Sequence, residues 1–421
     1  MDDKRIYLVI DLKSFYASVE CVERGLDPMT TDLVVADPER SEKTICLAVS
    51  PSLKAKGVHN RCRVFEIPKH LDYIMAVPRM QLYVNYAAEI YGVYLDYIAP
   101  EDMYVYSIDE VFLDVTAYLR TYNFTPREMA LFLMNQVKDR VGVRATCGIG
   151  TNMYLAKIAL DITAKHSPDY IGYLDENSYI NTLWDHRPLT DFWRIGPGTA
   201  RRLARIGIDT MAGIAHADED LMYKMFGIDA ELLIDHAWGI EPTTMADIKA
   251  YKPSTNSLSS GQVLMRDYDY EEAKLIVKEM AENLCLDMSK RGLMCKGLTL
   301  LVGYSNAYAL QMARGNVPLV VPTNSIEKIV PAVVKAYEQV TNQSIPIRRF
   351  YLNANNVTPV SSNKQMTIMD VPEEDDKDMA AQNAVNKIKD KYGKNSMFKG
   401  RDLEEHATTI QRNNQIGGHR K

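Results

Sequence analysis

Tyr106-Ser-Ile-Asp109-Glu110-Val-Phe-Leu-Asp114 decides how the rest of this 421-residue chain is read. An adjacent Asp109-Glu110 pair interrupts a run of β-branched and aromatic residues. Strand side chains alternate faces, so the two carboxylates point to opposite sides unless a turn lies between them. Burying neighbouring carboxylates among apolar residues is costly without a cation or donors. A tight turn bringing both toward one divalent ion resolves the conflict; the plain alternative is an acidic hairpin turn at the surface. A second segment decides between them. In Ile6-Tyr-Leu-Val-Ile-Asp11-Leu-Lys-Ser-Phe-Tyr16-Ala-Ser-Val-Glu20, Ile6 to Ile10 reads as a buried strand. Asp11 stands at its C-terminal end, where open α/β sheets place ligands. Asp11, Asp109 and Glu110 then supply three carboxylates from two strands, a hard oxygen site suited to Mg²⁺. Such sites commonly hold two ions about 4 Å apart that clamp attacking and leaving oxygens in phosphoryl transfer.

Length and composition frame this reading. The chain is too long for one core, and 25% charged with 46% hydrophobic residues describes an ordinary globular protein. No run of 18 apolar residues appears, and Met-Asp-Asp-Lys-Arg lacks a signal-peptide core, so a cytoplasmic protein without membrane association is expected. The cysteines at 21, 46, 62, 147, 285 and 295 form no Cys-x-x-Cys pair, which argues against structural zinc and for reduced thiols. A net charge of −6 excludes a globally basic nucleic-acid binder but leaves room for local basic surfaces.

Along the chain, Met80 to Tyr97 reads as an amphipathic helix whose tyrosines serve packing. Thr125-Pro126 opens another helix as N-cap and N1, running to Val141 before a strand over Arg144 to Gly148. Strands mixed with helices over the first 175 residues indicate an α+β domain. Arg194-Ile-Gly196-Pro-Gly198-Thr199, followed by Arg201, Arg202 and Arg205, reads as a helix-hairpin-helix. Its turn offers backbone N–H groups at a helix N-terminus to phosphate. Residues 243–257 are polar and weakly patterned, as in a tether. Beyond lie a helix (270–291), a strand (297–303), a helix (324–341) and a strand near Arg348 to Leu352, a β/α alternation. Residues 251–350 hold 12 Lys/Arg against 9 Asp/Glu, a local +3. A Ser-Ser-Asn stretch, an acidic run from Glu373, a helix to Lys391 and a polar tail complete the chain.

Asp-x-x-x-Phe-Tyr-Ala-Ser-Val-Glu followed by Tyr-Ser-Ile-Asp-Glu-Val-Phe-Leu-Asp, in that order and about 90 residues apart, resembles the two catalytic motifs of Y-family, translesion DNA polymerases. The resemblance implies an α+β right-hand polymerase. Its palm would be residues 1–12 and 80–175, its small fingers 13–79, and its helix-hairpin-helix thumb 176–242. A linker (243–257) would tether an α/β little-finger domain (258–355), followed by a C-terminal tail (356–421).

The same resemblance implies a DNA-directed DNA polymerase that extends primers past damaged template, with primer-template DNA and dNTP as substrates. Two Mg²⁺ would be held by Asp11, Asp109 and Glu110, with a backbone carbonyl near Leu12. Tyr16 matches the steric gate that clashes with a 2′-hydroxyl, and Phe15 is its packing neighbour. Lys165 matches a triphosphate contact, while Lys157 would support the carboxylates. Lys54 replaces a family arginine on the triphosphate, without its bidentate fork. Ser50 or Pro51 stands where the family has a tyrosine. That departure resembles the UmuC/ImpB branch, which serves SOS mutagenesis with accessory proteins, more than the DinB branch. Gly196, Gly198, Thr199, Arg348 and Arg349 match DNA contacts; strand alternation predicts that one of the two arginines meets template phosphate. Gln365, Ile368 and Met369 resemble a sliding-clamp docking peptide without its aromatic anchor. Two other readings are a palm-type nucleotide cyclase and a DNA-binding regulator with reduced catalysis. The hairpin and the basic domain count against the first, the intact carboxylates against the second.

Overall fold

A computed structural model describes residues 5–253, 256–360 and 372–421. The chain divides into two compact units, Met1–Tyr251 and Lys252–Lys421. In the first, strand β1 (Tyr7–Leu12) runs into helix α1 (Phe15–Val22). A small subdomain follows, with β2 (Leu33–Val35), β3 (Ala48–Val49), helix α2 (Pro51–Ala55) and β4 (Ile74–Ala76) around Val34, Val49 and Leu53. Helix α3 (Met80–Leu95) leads to the hairpin β5 (Met103–Val105) and β6 (Glu110–Asp114). Then come α4 (Thr116–Tyr122), α5 (Pro126–Val141), β7 (Ala145–Gly150), α6 (Met153–Ile158) and β8 (Ile171–Leu174). Helices α7 (Glu176–Leu183), α8 (Pro197–Ala204), α9 (Met211–Ala215), α10 (Glu219–Phe226), α11 (Asp229–Ala237) and α12 (Met245–Ala250) complete the unit.

The main sheet has the order β5-β6-β1-β7-β8. Strand β1 lies at its centre, antiparallel to both β6 and β7, so the rule for parallel α/β sheets does not explain the position of Asp11. Asp11 lies within the strand, directly opposite Glu110. Helix α5 begins as expected: Thr125 and Glu128 form a reciprocal capping box with Pro126 at N1. Helix α6 packs unusually close to β7. A Cβ on Gly148 would lie 2.0 Å from the Ala156 carbonyl oxygen, and one on Gly150 2.2 Å from the Ala156 nitrogen. Only glycine permits that approach.

The stretch expected to be a tether is partly ordered into α12, because Thr244 and Asp247 form a capping box and Met245 joins the core with Tyr7, Val9 and Phe112. The second unit also departs from simple β/α alternation. Its four long strands are β9 (Ser257–Tyr268), β10 (Leu293–Tyr304), β11 (Ala313–Thr323) and β12 (Ile347–Asn355), in the order β11-β10-β12-β9, all antiparallel. Helices α13 (Tyr270–Lys290) and α14 (Ile326–Val340) cover one face. Strand β11 carries Pro318 and Pro322, which its edge position tolerates. Past Asn355, β13 (Thr358–Pro359) pairs with β10.

The C-terminal residues are folded too. Helix α15 (Pro372–Tyr392) packs on α13, and α16 (Thr409–Asn413) precedes a hairpin, β14 (Gln415–Ile416) and β15 (His419–Arg420). The Gly417-Gly418 turn between them has positive φ at both residues, as a two-residue hairpin of type I′ requires. Glu279 of α13, 2% exposed, accepts hydrogen bonds from the backbone nitrogens of Thr408 and Thr409 at 3.0 Å and from Thr408 Oγ1 at 2.8 Å.

Candidate active site

The turn Tyr106–Glu110 closes the β5–β6 hairpin, with Tyr106 N and Ser107 N donating to the Glu110 carbonyl. Leu12 N donates to the Asp109 carbonyl at 2.9 Å, which ties the turn to the end of β1. Asp11, Asp109 and Glu110 are thereby set side by side across two strands, and Leu12 lies next to them. Among the described residues no three His, Cys, Asp or Glu side chains are gathered into a ready-made metal cage, these three included. Each of two carboxylates has found its own donor. Asp109 Oδ1 accepts from Ser107 Oγ at 2.5 Å, and Glu110 Oε2 from Lys157 Nζ at 3.0 Å.

Asp11 has no such donor among the described residues. Burial, then the charges of Asp109 and Glu110, push its carboxyl up to about 7. Burial also raises the pKa of Glu110, with Lys157 acting in the opposite sense. Glu110 Oε1 is buried and accepts no hydrogen bond, although the Lys157 ammonium lies 2.9 Å away. Three crowded carboxylates, one orphaned oxygen and one carboxyl held near neutrality fit a hard divalent cation.

Lys157 reaches Glu110 because α6 lies so close to β7. It also pairs with Asp161, four residues on, at 3.1 Å; a π-turn over Ala159–Thr163 carries that residue. Sequence reading assigned Asp161 no role, although its spacing from Lys157 was visible. Lys165 lies apart from Lys157, exposed in a 3₁₀ turn, where its charge acts on Lys54. The Lys54 ammonium donates to Ser14 Oγ at 2.8 Å; desolvation lowers its pKa and the Asp11 charge raises it. Lys13 joins the same cationic rim, packed 3.7 Å over the Tyr170 ring, and was also missed. Ser50 is fully buried and caps α2 through its Oγ, with Pro51 at N1. Both residues serve the fold of α2 at the place where the resembling family has a ligand-binding tyrosine.

Tyr16 is half-buried in the first turn of α1, with Phe15 buried beside it at 5.7 Å between ring centroids. Burial and the Asp109 charge raise its pKa, which places the phenol beside the carboxylates. Its ring stacks on Tyr83 of α3 at 4.5 Å and 16°. Tyr83 donates to Glu20 Oε1 at 2.7 Å, and Arg79 grips both Glu20 oxygens at 3.0 and 2.8 Å. Tyr83 packs, as expected of the tyrosines of this helix; Glu20 had no role assigned from sequence, since a helix-internal glutamate carries no signal until its helix meets another.

Gly196 and Gly198 flank Pro197 at the start of α8, exposed and with open space where a Cβ would stand; Thr199 follows. A 3₁₀ turn (Leu189–Asp191) rather than an α-helix leads into this hairpin. In the second unit Arg348 lies 3.6 Å from Asp267, and Arg349 donates to Asn306 at 2.8 Å. The strand register shifts between Ile347 and Arg349, so strict alternation, and the expectation that only one arginine faces a ligand, does not carry across this point. Gln365, Ile368 and Met369 lie outside the described residues.

Residues 10–161 match the impB/mucB/samB family and residues 255–368 its C-terminal domain. DNA polymerase IV 2 of Bacillus subtilis (strain 168) is 30% identical over 431 aligned residues, covering 100% of both chains. DNA polymerase IV 2 of Halalkalibacterium halodurans is 28% identical, again over 100% of both. Among solved structures, a Y-family DNA polymerase chimera of Dbh and Dpo4 aligns with a TM-score of 0.66 at 20% identity, covering 84% of this chain and 99% of that one, which shows the fold. With both units matched and relatives aligned end to end, this chain belongs to the impB/mucB/samB family.

Proposed function

We infer that this chain is a DNA-directed DNA polymerase that extends primers past damaged template, acting in DNA repair. One observation carries the reading: Asp11, Asp109 and Glu110 abut on adjacent strands with too little positive charge around them. The family match and the relatives named as DNA polymerases support it. The fold reads as palm, fingers and thumb in the first unit and a little finger in the second.

Asp11, Asp109 and Glu110, with the Leu12 carbonyl, would hold two Mg²⁺. Bound there, the ions supply neutralisation of the charge that develops as a primer 3′-hydroxyl attacks the α-phosphorus of a dNTP. Lys157 orients Glu110 for that duty and shields it from Asp161. Lys54, Lys165 and Lys13 line the side where the triphosphate's negative charge needs partners. The Tyr16 ring closes the space a 2′-hydroxyl would enter. Backbone N–H groups at Gly196–Thr199, together with Arg348 and Arg349, grip DNA through phosphates, independent of sequence. Docking of 365–369 on a sliding clamp, SOS accessory proteins and a cytoplasmic location complete the proposal. No helix among the described residues is long and apolar enough to cross a membrane.

Primer extension by purified protein, on intact template and on template with an abasic site, tests the reading. Extension that depends on divalent ions and is abolished by Asp109→Ala is expected. DNA binding without extension would favour a regulator, and a cyclic nucleotide product a cyclase. Tyr16→Ala is expected to raise ribonucleotide insertion relative to deoxyribonucleotide; an unchanged ratio in a folded variant would make Tyr16 a packing residue.

A further inference from the structure

The stretch 387–399, beyond the family match, is locally the most unlike the rest of this acidic chain. It holds five lysines and one carboxylate, Asp390, against −6 for the whole protein. That carboxylate is taken by Lys290. Lys387, Lys391 and Lys394 have no ion-pair partner among the described residues, and all three are exposed. Lys389 is half-buried; burial lowers its pKa, the Asp402 charge raises it, and the charges of Lys394 and Lys399 lower it.

Apolar rings accompany them. Tyr392 is 66% exposed, Phe398 42% and Met397 42%, and the Lys391 ammonium lies 5.1 Å above the Tyr392 ring. The inner face of α15 is fixed elsewhere: Gln382 bonds to the Asn324 carbonyl and Asn386 to that of Leu286. Lys387 and Lys391, four residues apart, therefore share the outward face with the neighbouring Ile388 and Tyr392. Favourable interaction with the helix dipole explains lysines in the last turn. Lys399, past the helix end, is accounted for by Glu282, 3.5 Å away, but nothing comparable accounts for Lys394 or for the rings left in water.

We propose that residues 387–399 form a second nucleic-acid contact, for single-stranded DNA. Phosphates meet the free lysines, and unpaired bases stack on Tyr392 and Phe398. Duplex DNA fits less well, because its bases offer no free face to an exposed ring. This rests on the polymerase reading only in that unpaired template is present at the site of work; the binding test stands without it.

Fluorescence anisotropy of the full chain with a labelled oligothymidine and with a blunt duplex tests the surface, using Asp109→Ala as background so that turnover plays no part. Lys387→Gln/Lys391→Gln/Lys394→Gln is expected to lower the salt slope for single strands by about 2, at about 0.7 for each phosphate no longer neutralised. Tyr392→Ala/Phe398→Ala is expected to weaken single-strand binding roughly tenfold or more, the scale of base–aromatic stacking, with the salt slope unchanged. Both sets lie at the surface, and thermal unfolding checks that they fold. Wild-type oligothymidine binding by both variants overturns the proposal. Equal weakening on blunt duplex overturns it in favour of a general phosphate surface. Unaltered DNA binding with abolished binding to phosphatidylserine vesicles overturns it in favour of a membrane. If the wild-type protein lacks primer extension but these variants behave as expected, the polymerase reading fails and this contact stands.

Discussion

Asp11 and Glu20 lie nine residues apart, yet they are opposite kinds of buried carboxylate. Glu20 is fully enclosed and accepts hydrogen bonds from Arg79, Arg24 and Tyr83, which together hold its pKa below the ordinary range despite burial. Asp11 faces two further carboxylates, and its pKa rises to about 7. The first arrangement fastens α1 to α3 and backs the Tyr16 ring. The second concentrates negative charge, which a proton or a cation relieves. A saturated carboxylate marks architecture, and a starved one marks chemistry.

The sharpest way to break that contrast is Asp11→Asn. Nucleotide incorporation is expected to fall about 10³-fold or more, since charge stabilisation in the transition state is removed. Stability of the chelated protein at pH 8 is expected to hold or rise, because an unpaired buried charge has gone. A stability loss with retained activity would reverse the assignment. Glu20→Ala is expected to do the opposite first and destabilise the first unit by about 2–3 kcal/mol. That lies below the cost of breaking a fully buried pair, because Arg79, its side chain 43% exposed, stays in touch with water. Denaturant unfolding measures it.

The pH dependence separates the two residues by sign. The folded pKa of Asp11 lies above its ordinary 3.8, so its contribution is full below that value and is lost as pH rises toward 7. The folded pKa of Glu20 is depressed below 4.5, so its contribution is present above that pH and is lost as pH falls through the folded value. Thermal unfolding in chelator is expected to show both limbs, with Asp11→Asn flattening the upper and Glu20→Ala the lower. The smallest effect belongs to Arg24→Ala, about 0.5–1 kcal/mol, since that arginine is partly solvated and Arg79 still holds Glu20.

Much of this was legible in the sequence. The pairing of Asp11 with the Asp109-Glu110 turn and the capped helix at Thr125 rest on local patterns, and local patterns survive without coordinates. Strands β9 and β11 were not legible. The first is a Ser- and Gly-rich strand whose alternation is masked by polar residues, and the second carries two prolines that only an edge position excuses. Asp161, Lys13 and Glu20 were missed for another reason. Their roles arise when separate elements meet, as when two glycines let α6 descend onto β7 and bring Lys157 to Glu110. The bulge at Arg348–Arg349 likewise defeats a period-two pattern that holds along the rest of the strand.

The bond that Thr408 N donates to Glu279 joins residues 129 apart. During synthesis, α13 emerges with its glutamate long before the donors that satisfy it exist. The second unit therefore cannot complete this contact until residues around Thr408 have been made. A stop codon shortly before Thr408 would spare every residue matched by the family and still leave a carboxylate without donors on the face of α13. For this chain, a late truncation is expected to behave as a folding lesion.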